Sequence, residues 1–89
     1  MEQRYRIIFS KQAIKDSEKI KKAGLEKYVI KIIEILKINP FQNPPLYEKL
    51  SGDFKGMYSR RINYQHRFVY QVYEKENTVK VRRMWSHYE

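Results

Sequence analysis

The chain reads as an α+β domain: a first strand, then two helices, packed on one face of a mostly antiparallel sheet of four to five strands. Three observations predict this. Apolar residues recur with helical spacing over two N-terminal segments, Lys11–Lys22 and Leu25–Ile38. From Leu46 onward the period changes to two, in successive runs rich in Val, Ile and Tyr. The breaks fall at Gly24, Asn39–Pro40 and Glu74–Asn77, all of them turn or helix-stop signals. No repeat or linker divides the 89 residues, so residues 1–89 are expected to form one domain.

Each element has its own signal. Arg4–Phe9 alternates polar and apolar residues and reads as a strand. Ser10 is placed to cap a helix from Lys11 to Lys22, with Ala13, Ile14, Ser17 and Ile20 as a thin inner stripe. Lys19, Lys21 and Lys22 complement the dipole of its last turn, and Gly24 stops it. In the second helix Leu25, Val29, Ile32, Ile33 and Leu36 share one face, and Asn39–Pro40 ends it. The stretch from Pro40 to Pro45 resists helix because each residue before a proline is held extended. Leu46–Leu50 then reads as a short strand and Gly52–Gly56 as a turn. Met57–Tyr64, His66–Tyr73 and Thr78–Tyr88 read as three successive strands.

Composition excludes several functions. A chain this short buries a small core, so chemistry belongs on an open face rather than in a deep walled pocket. It has no cysteine, hence no disulfide, thiolate metal site or thiol nucleophile. Neither a signal-like leader nor an apolar run of the roughly 18–20 residues that a membrane span needs is visible. The expected compartment is the cytoplasm, with no membrane partner. The sequence contains no HExxH, paired-Asp, P-loop or GxGxxG pattern, so neither metal nor cofactor is expected. The formal charge of +9 implies an acidic partner, nucleic acid foremost. Both halves are basic, so the charge is not a detachable tail. Eight tyrosines interleaved with arginines suit stacking on bases.

What remains is a metal-free constellation: Glu48, then Arg60, Arg61 and Arg67 on neighbouring strands, then His87 and Tyr88 near the C-terminus. Cutting RNA without a metal needs a base for the 2′-OH, cations for the phosphorane, and an acid for the leaving oxygen. Glu, Arg and His are adequate for these jobs, and Arg grips two phosphate oxygens at once. Taken singly, each residue also has a plain reading. A glutamate after a loop is commonly just solvated, His66 at a hairpin tip is structural or solvated, and terminal histidines are often inert. Alternation places Arg60 and Arg61 on opposite faces, and the loop length decides which of them joins Arg67. Lys49, Lys55, Tyr58, Arg60, Arg82 and Arg83 are the expected RNA contacts around this centre.

Ser59–Val72, SRRINYQHRFVYQV, resembles the hallmark segment S-R-R-I-x-x-x-H-R-L-V-Y-x-V of the Txe/YoeB toxins, in the RelE/ParE superfamily of toxin–antitoxin modules. Asn39-Pro40-Phe41, the placement of Glu48 before the hallmark, and the terminal His87-Tyr88 agree with it, so the similarity spans essentially the whole chain. The resemblance implies a ribosome-dependent endoribonuclease that cuts mRNA in the A site, held inactive by a cognate antitoxin of the YefM/Axe type. It implies Glu48 as general base, Arg61 and Arg67 on the phosphate, His87 as general acid and Tyr88 as substrate-orienting residue. It also selects Arg61 over Arg60. The chain departs from the family where many members read K-P-E-P-L, since here the glutamate stands in Tyr47-Glu48-Lys49-Leu50. Glu89 extends the usual end. Two alternatives stay open: a ParE-like gyrase inhibitor on the same fold, and a non-enzymatic basic RNA- or ribosome-binding protein. Monomer and homodimer are both compatible with the sequence.

Overall fold

The computed structural model describes residues 4–85. The elements run β1 (Arg6–Phe9), α1 (Lys11–Lys22), α2 (Glu26–Ile38), β2 (Tyr47–Lys49), a 3₁₀ turn (Gly52–Phe54), β3 (Tyr58–Arg61), β4 (Arg67–Tyr73) and β5 (Thr78–Arg83). The five strands form one sheet in the order β1-β5-β4-β3-β2. β1 pairs with β5 in parallel, and every other neighbouring pair is antiparallel. The fold is therefore the expected α+β arrangement, with five strands. No helix among the described residues is long and apolar enough to cross a membrane.

Local chemistry sets the element boundaries. Ser10 Oγ accepts from the Ala13 N–H at 3.0 Å, capping α1, and donates to the Arg82 carbonyl at 2.8 Å. Gly24 follows α1 at φ +74°, a left-handed conformation that glycine adopts without steric cost. α1 keeps the expected bounds but not the expected stripe. Ala13, Asp16 and Ile20 face inward, while Ile14 is 55% exposed. In α2, Val29, Ile32 and Leu36 are buried, with Leu25 and Ile33 packed beside them. These side chains cover Phe68, Tyr70, Val79 and Val81 on the inner face of the sheet.

All five strands are shorter than alternation suggested, β2 and β4 by only one or two residues. β1 starts at Arg6 rather than Arg4, because the Tyr5 N–H donates to the Lys37 carbonyl at the end of α2. β3 ends at Arg61 because Asn63 Oδ1 accepts the N–H groups of Gln65 and His66, at 2.8 and 2.7 Å, and so closes a loop. β5 ends at Arg83 because the next two N–H groups, of Met84 and Trp85, go to the carboxylate of Asp16 at 2.9 and 3.2 Å. Periodicity carries no sign of such side-chain competition for backbone donors.

Candidate active site

The site is assembled by strand register. Glu48 pairs with Ser59, Ser59 with Val69, and Arg61 with Arg67. Directly paired residues point to the same side of a sheet. Glu48, Ser59, Arg61 and Arg67 thus share the face opposite the helices and line one cleft of about 200 Å³, whose wall is completed by Pro45, Leu46, Arg60 and, from α2, Ile32. Arg67 Nη1 lies 3.4 Å from Glu48 Oε1. Glu48 and Arg61 are exposed and Arg67 is half-buried.

The β3–β4 loop is what places Arg61 beside Arg67. It spans residues 62–66, and the Ile62 N–H donates to the His66 carbonyl at 2.9 Å. Five connecting residues give the register that alternation alone left open. His66 is buried, and its ring stacks on Trp85 with centroids 4.0 Å apart, so the hairpin tip is tied to the chain leaving β5. Its structural reading holds.

Three expected RNA contacts turn to the helix side of the sheet. Arg60 is 1% exposed and points to the helix side. Its Nη1 donates to the Pro45 carbonyl at 2.7 Å, and its Nη2 donates to Pro40 and Gln42 at 3.1 and 2.8 Å. Its Nε donates to the Tyr70 hydroxyl at 3.1 Å. With four of its five N–H donors spent inside the fold, the Arg60 guanidinium holds the proline-rich connector. Tyr58 also lies on that side, 5.3 Å from the Phe41 ring and 5.8 Å from those of Tyr47 and Tyr70. Lys49 pairs with Tyr58 and shares its face rather than that of Glu48. Burial pushes the Tyr70 phenol above its ordinary 10.0, and the neighbouring Arg60 charge offsets part of that rise.

A second depression, of about 400 Å³, opens beside the cleft. Val69 lies between the two, and Lys11, Lys80, Arg82 and Arg83 bring four cations to its lining, with no carboxylate among the lining residues. Consecutive Arg82 and Arg83 reach the same depression because the register slips at Val69/Tyr70. Val69 pairs with Arg83 while Tyr70 pairs with Val81, so Arg82 is the extra residue of a bulge. Lys55 is exposed in the turn between β2 and β3. His87, Tyr88 and Glu89 lie outside the described residues.

The sequence reading passed over four residues. Lys80 was legible, because it stands two positions before Arg82 on a strand. Ser59 stands likewise two before Arg61. Lys11 and Asp16 join through the docking of α1, which leaves no mark in the local pattern. Among the described residues no group of three or more His, Asp or Glu is arranged to hold a metal.

Residues 9–88 match the model of the "YoeB-like toxin of bacterial type II toxin-antitoxin system". The toxin in a YoeB–YefM complex from Staphylococcus aureus is 32% identical with a TM-score of 0.79, covering 96% of this chain and 99% of that one. The same organism's YoeB is also solved as a dimer, with 32% identity and a TM-score of 0.80, over 96% and 99% of the two chains. A YoeB/ParE toxin from Agrobacterium tumefaciens is 29% identical with a TM-score of 0.84, over 93% and 99% of the two chains. No curated protein matches the chain.

Proposed function

Since the chain belongs to the YoeB-like toxins of bacterial type II toxin–antitoxin systems, we propose that it is an endoribonuclease that cuts mRNA in the ribosomal A site and thereby blocks translation in the cytoplasm. The observation that carries this reading is the convergence of Glu48, Arg61 and Arg67 on one open cleft. A carboxylate beside two guanidinium groups offers a base next to a phosphate clamp.

In this mechanism the Glu48 carboxylate takes the proton of a 2′-OH. The freed oxygen attacks the adjacent phosphorus, and Arg61 and Arg67 hold the charge of the phosphorane. The bond from phosphorus to the 5′-oxygen breaks, and that oxygen takes a proton from the His87 imidazolium. Tyr88 orients the substrate. The products are a 2′,3′-cyclic phosphate and a 5′-OH, and no step requires a metal. The two residues at the C-terminal end are assigned from the resemblance of His87-Tyr88 to the family's terminal pair.

The chain's small, open cleft does little to position a long substrate, and the ribosome would supply that positioning. An antitoxin of the YefM type is the proposed inhibitor, as in the Staphylococcus aureus complex. A homodimer is the proposed antitoxin-free form, as in that organism's YoeB.

Primer extension on cellular mRNA after induction tests the reading. The expected result is a set of stops inside A-site codons that survive in a metal-chelated cleavage assay with ribosome integrity controlled. His87→Gln should abolish the stops and retain ribosome binding. Growth arrest with intact mRNA and a DNA-damage response would instead indicate a gyrase-directed toxin. Intact mRNA with salt-sensitive ribosome binding would indicate a binder without catalysis.

A further inference from the structure

Ser59 carries the one buried side-chain polar atom that lacks a hydrogen-bond partner among the described residues. The residue is 1% exposed, in the middle strand of the cleft. Leaving a buried hydroxyl unpaired is costly, and proteins rarely tolerate it without a use. The same position could hold an alanine at no such cost.

Register limits what that hydroxyl can serve. Ser59 stands on the face opposite the helices, because its neighbours Tyr58 and Arg60 face inward. Its two cross-strand partners are Val69, which has no polar side-chain atom, and Glu48. Paired residues on adjacent strands hold their Cβ atoms about 5 Å apart, which one serine hydroxyl and one glutamate side chain can bridge. In the structure the Glu48 carboxylate is turned instead to Arg67, at 3.4 Å. A phosphate on Arg67 competes for that guanidinium and weakens a contact to Glu48 that is already long at 3.4 Å.

We infer that Ser59 is a positioning residue for Glu48: when the scissile phosphate draws Arg67 away, the Ser59 hydroxyl donates to the Glu48 carboxylate and holds it toward the 2′-OH. The inference rests on the proposed role of Glu48 as general base. A donor held by a strand backbone fixes which carboxylate oxygen stays free to accept the proton, much as outer groups orient catalytic ligands elsewhere. The unpaired Ser59 hydroxyl is then the donor that the substrate-bound arrangement uses.

The test uses the full chain and ribosomes programmed with one mRNA. Ser59→Ala and Ser59→Cys should lower kcat about tenfold with KM unchanged, as expected for one lost hydrogen bond made during reaction. Both should unfold at the parent's urea midpoint or above it, which a merely structural serine would not allow. On a Glu48→Ala background, which has no carboxylate to hold, the serine-to-alanine change should lower the residual rate less than twofold. Parental kcat in both serine variants overturns the inference, as does an undiminished tenfold loss on the Glu48→Ala background. Glu48→Gln separates the two levels: if it cleaves like the parent, the reading of Glu48 fails. If it is inactive while the serine variants are normal, only the role of Ser59 fails.

Discussion

Arg67 and Glu48 reach each other across an intervening strand: Arg67 is on β4, Glu48 is on β2, and β3 runs between them, yet Nη1 and Oε1 are 3.4 Å apart. Glu48 pairs with Ser59 of β3, and Arg61 of the same strand lines the same cleft. Both partners are partly open to water, with side-chain exposures of 32% and 55%. An ion pair this exposed contributes no more than about 1 kcal/mol. Glu48→Gln should therefore leave the unfolding free energy within about 1 kcal/mol of the parent while lowering cleavage at least 100-fold, about what a general base supplies. Urea denaturation and a ribosome cleavage assay on the same preparation check this. Equal loss of both properties would mean that the pair holds the fold rather than the chemistry.

Arg60 should show the reverse. Its guanidinium donates to three carbonyls of the connector and to the Tyr70 hydroxyl. Arg60→Met strands those buried acceptors, and the expected loss is roughly 3–5 kcal/mol, as when one member of a buried charge network is removed. Arg60→Lys should recover little, because a single ammonium cannot copy a planar fork that serves four acceptors. Urea midpoints of the two variants settle the matter. A loss under about 1 kcal/mol would mean that water replaces the guanidinium.

The contrast between Arg60 and Arg61 shows where sequence reasoning reached and where it stopped. Two helices and a run of strands were legible because apolar periodicity reports which side of an element is buried. That Arg60 and Arg61 face opposite ways was legible for the same reason. Which of them faces the cleft was not, since it depends on the length of the 62–66 loop, and an Asx turn at Asn63 sets that. The fate of Arg60 depends on carbonyls 15 to 20 residues back in a segment without periodicity. Lys49 and Tyr58 neighbour Glu48 and Ser59 in sequence but stand on the other face, as alternation along a strand requires. The bulge at Arg82 makes two consecutive residues share one depression, against the alternation that the sequence suggests.

Asp16 anchors the chain as it leaves β5. Its Oδ2 accepts from the Met84 and Trp85 N–H groups at 2.9 and 3.2 Å, and its Oδ1 accepts from Gln12 at 2.9 Å. The residue is 2% exposed, so its removal leaves two donors without water to replace it. Asp16→Ala should cost about 2–4 kcal/mol, because hydrogen bonds to a charged acceptor are the stronger kind. Asp16→Asn keeps one acceptor oxygen and should cost about half as much. Amide exchange at residues 84 and 85 should rise in both variants more than exchange in β4. Unchanged protection there would show that β5 and Trp85 hold this segment without the carboxylate.

Tyr70 makes stability depend on alkaline pH. Folded Tyr70 keeps its proton above the ordinary 10.0, chiefly because burial disfavours the phenolate, while the unfolded chain releases it at the ordinary value. Its contribution is therefore complete below about pH 10 and is lost as the pH climbs through the raised value. Tyr70→Phe should flatten that alkaline decline. At neutral pH it should cost about 1–2 kcal/mol, because Arg60 Nε loses its acceptor and the bond to the Pro40 carbonyl disappears. Urea midpoints between about pH 8 and pH 11 read both effects. An equally steep decline in the phenylalanine variant would assign it to another group.

The basic depression should appear in salt dependence rather than in rate. Lys80, Arg82 and Arg83 line it without a carboxylate beside them, and none of the three forms an ion pair with another described residue. Each phosphate they neutralise releases condensed counterions, so log K should fall against log salt with about 0.7–0.9 of slope per contact. In a His87→Gln chain, which isolates binding from cleavage, glutamine at any one of these three positions should reduce the slope by about that amount. Lys49→Gln and Tyr58→Phe, on the opposite face, should leave it unchanged. Ribosome or single-stranded RNA binding measured over a range of potassium chloride concentrations provides the slopes. If Lys49→Gln lowers the slope and Arg82→Gln does not, the polymer runs along the helix side of β2 and the depression is not its path.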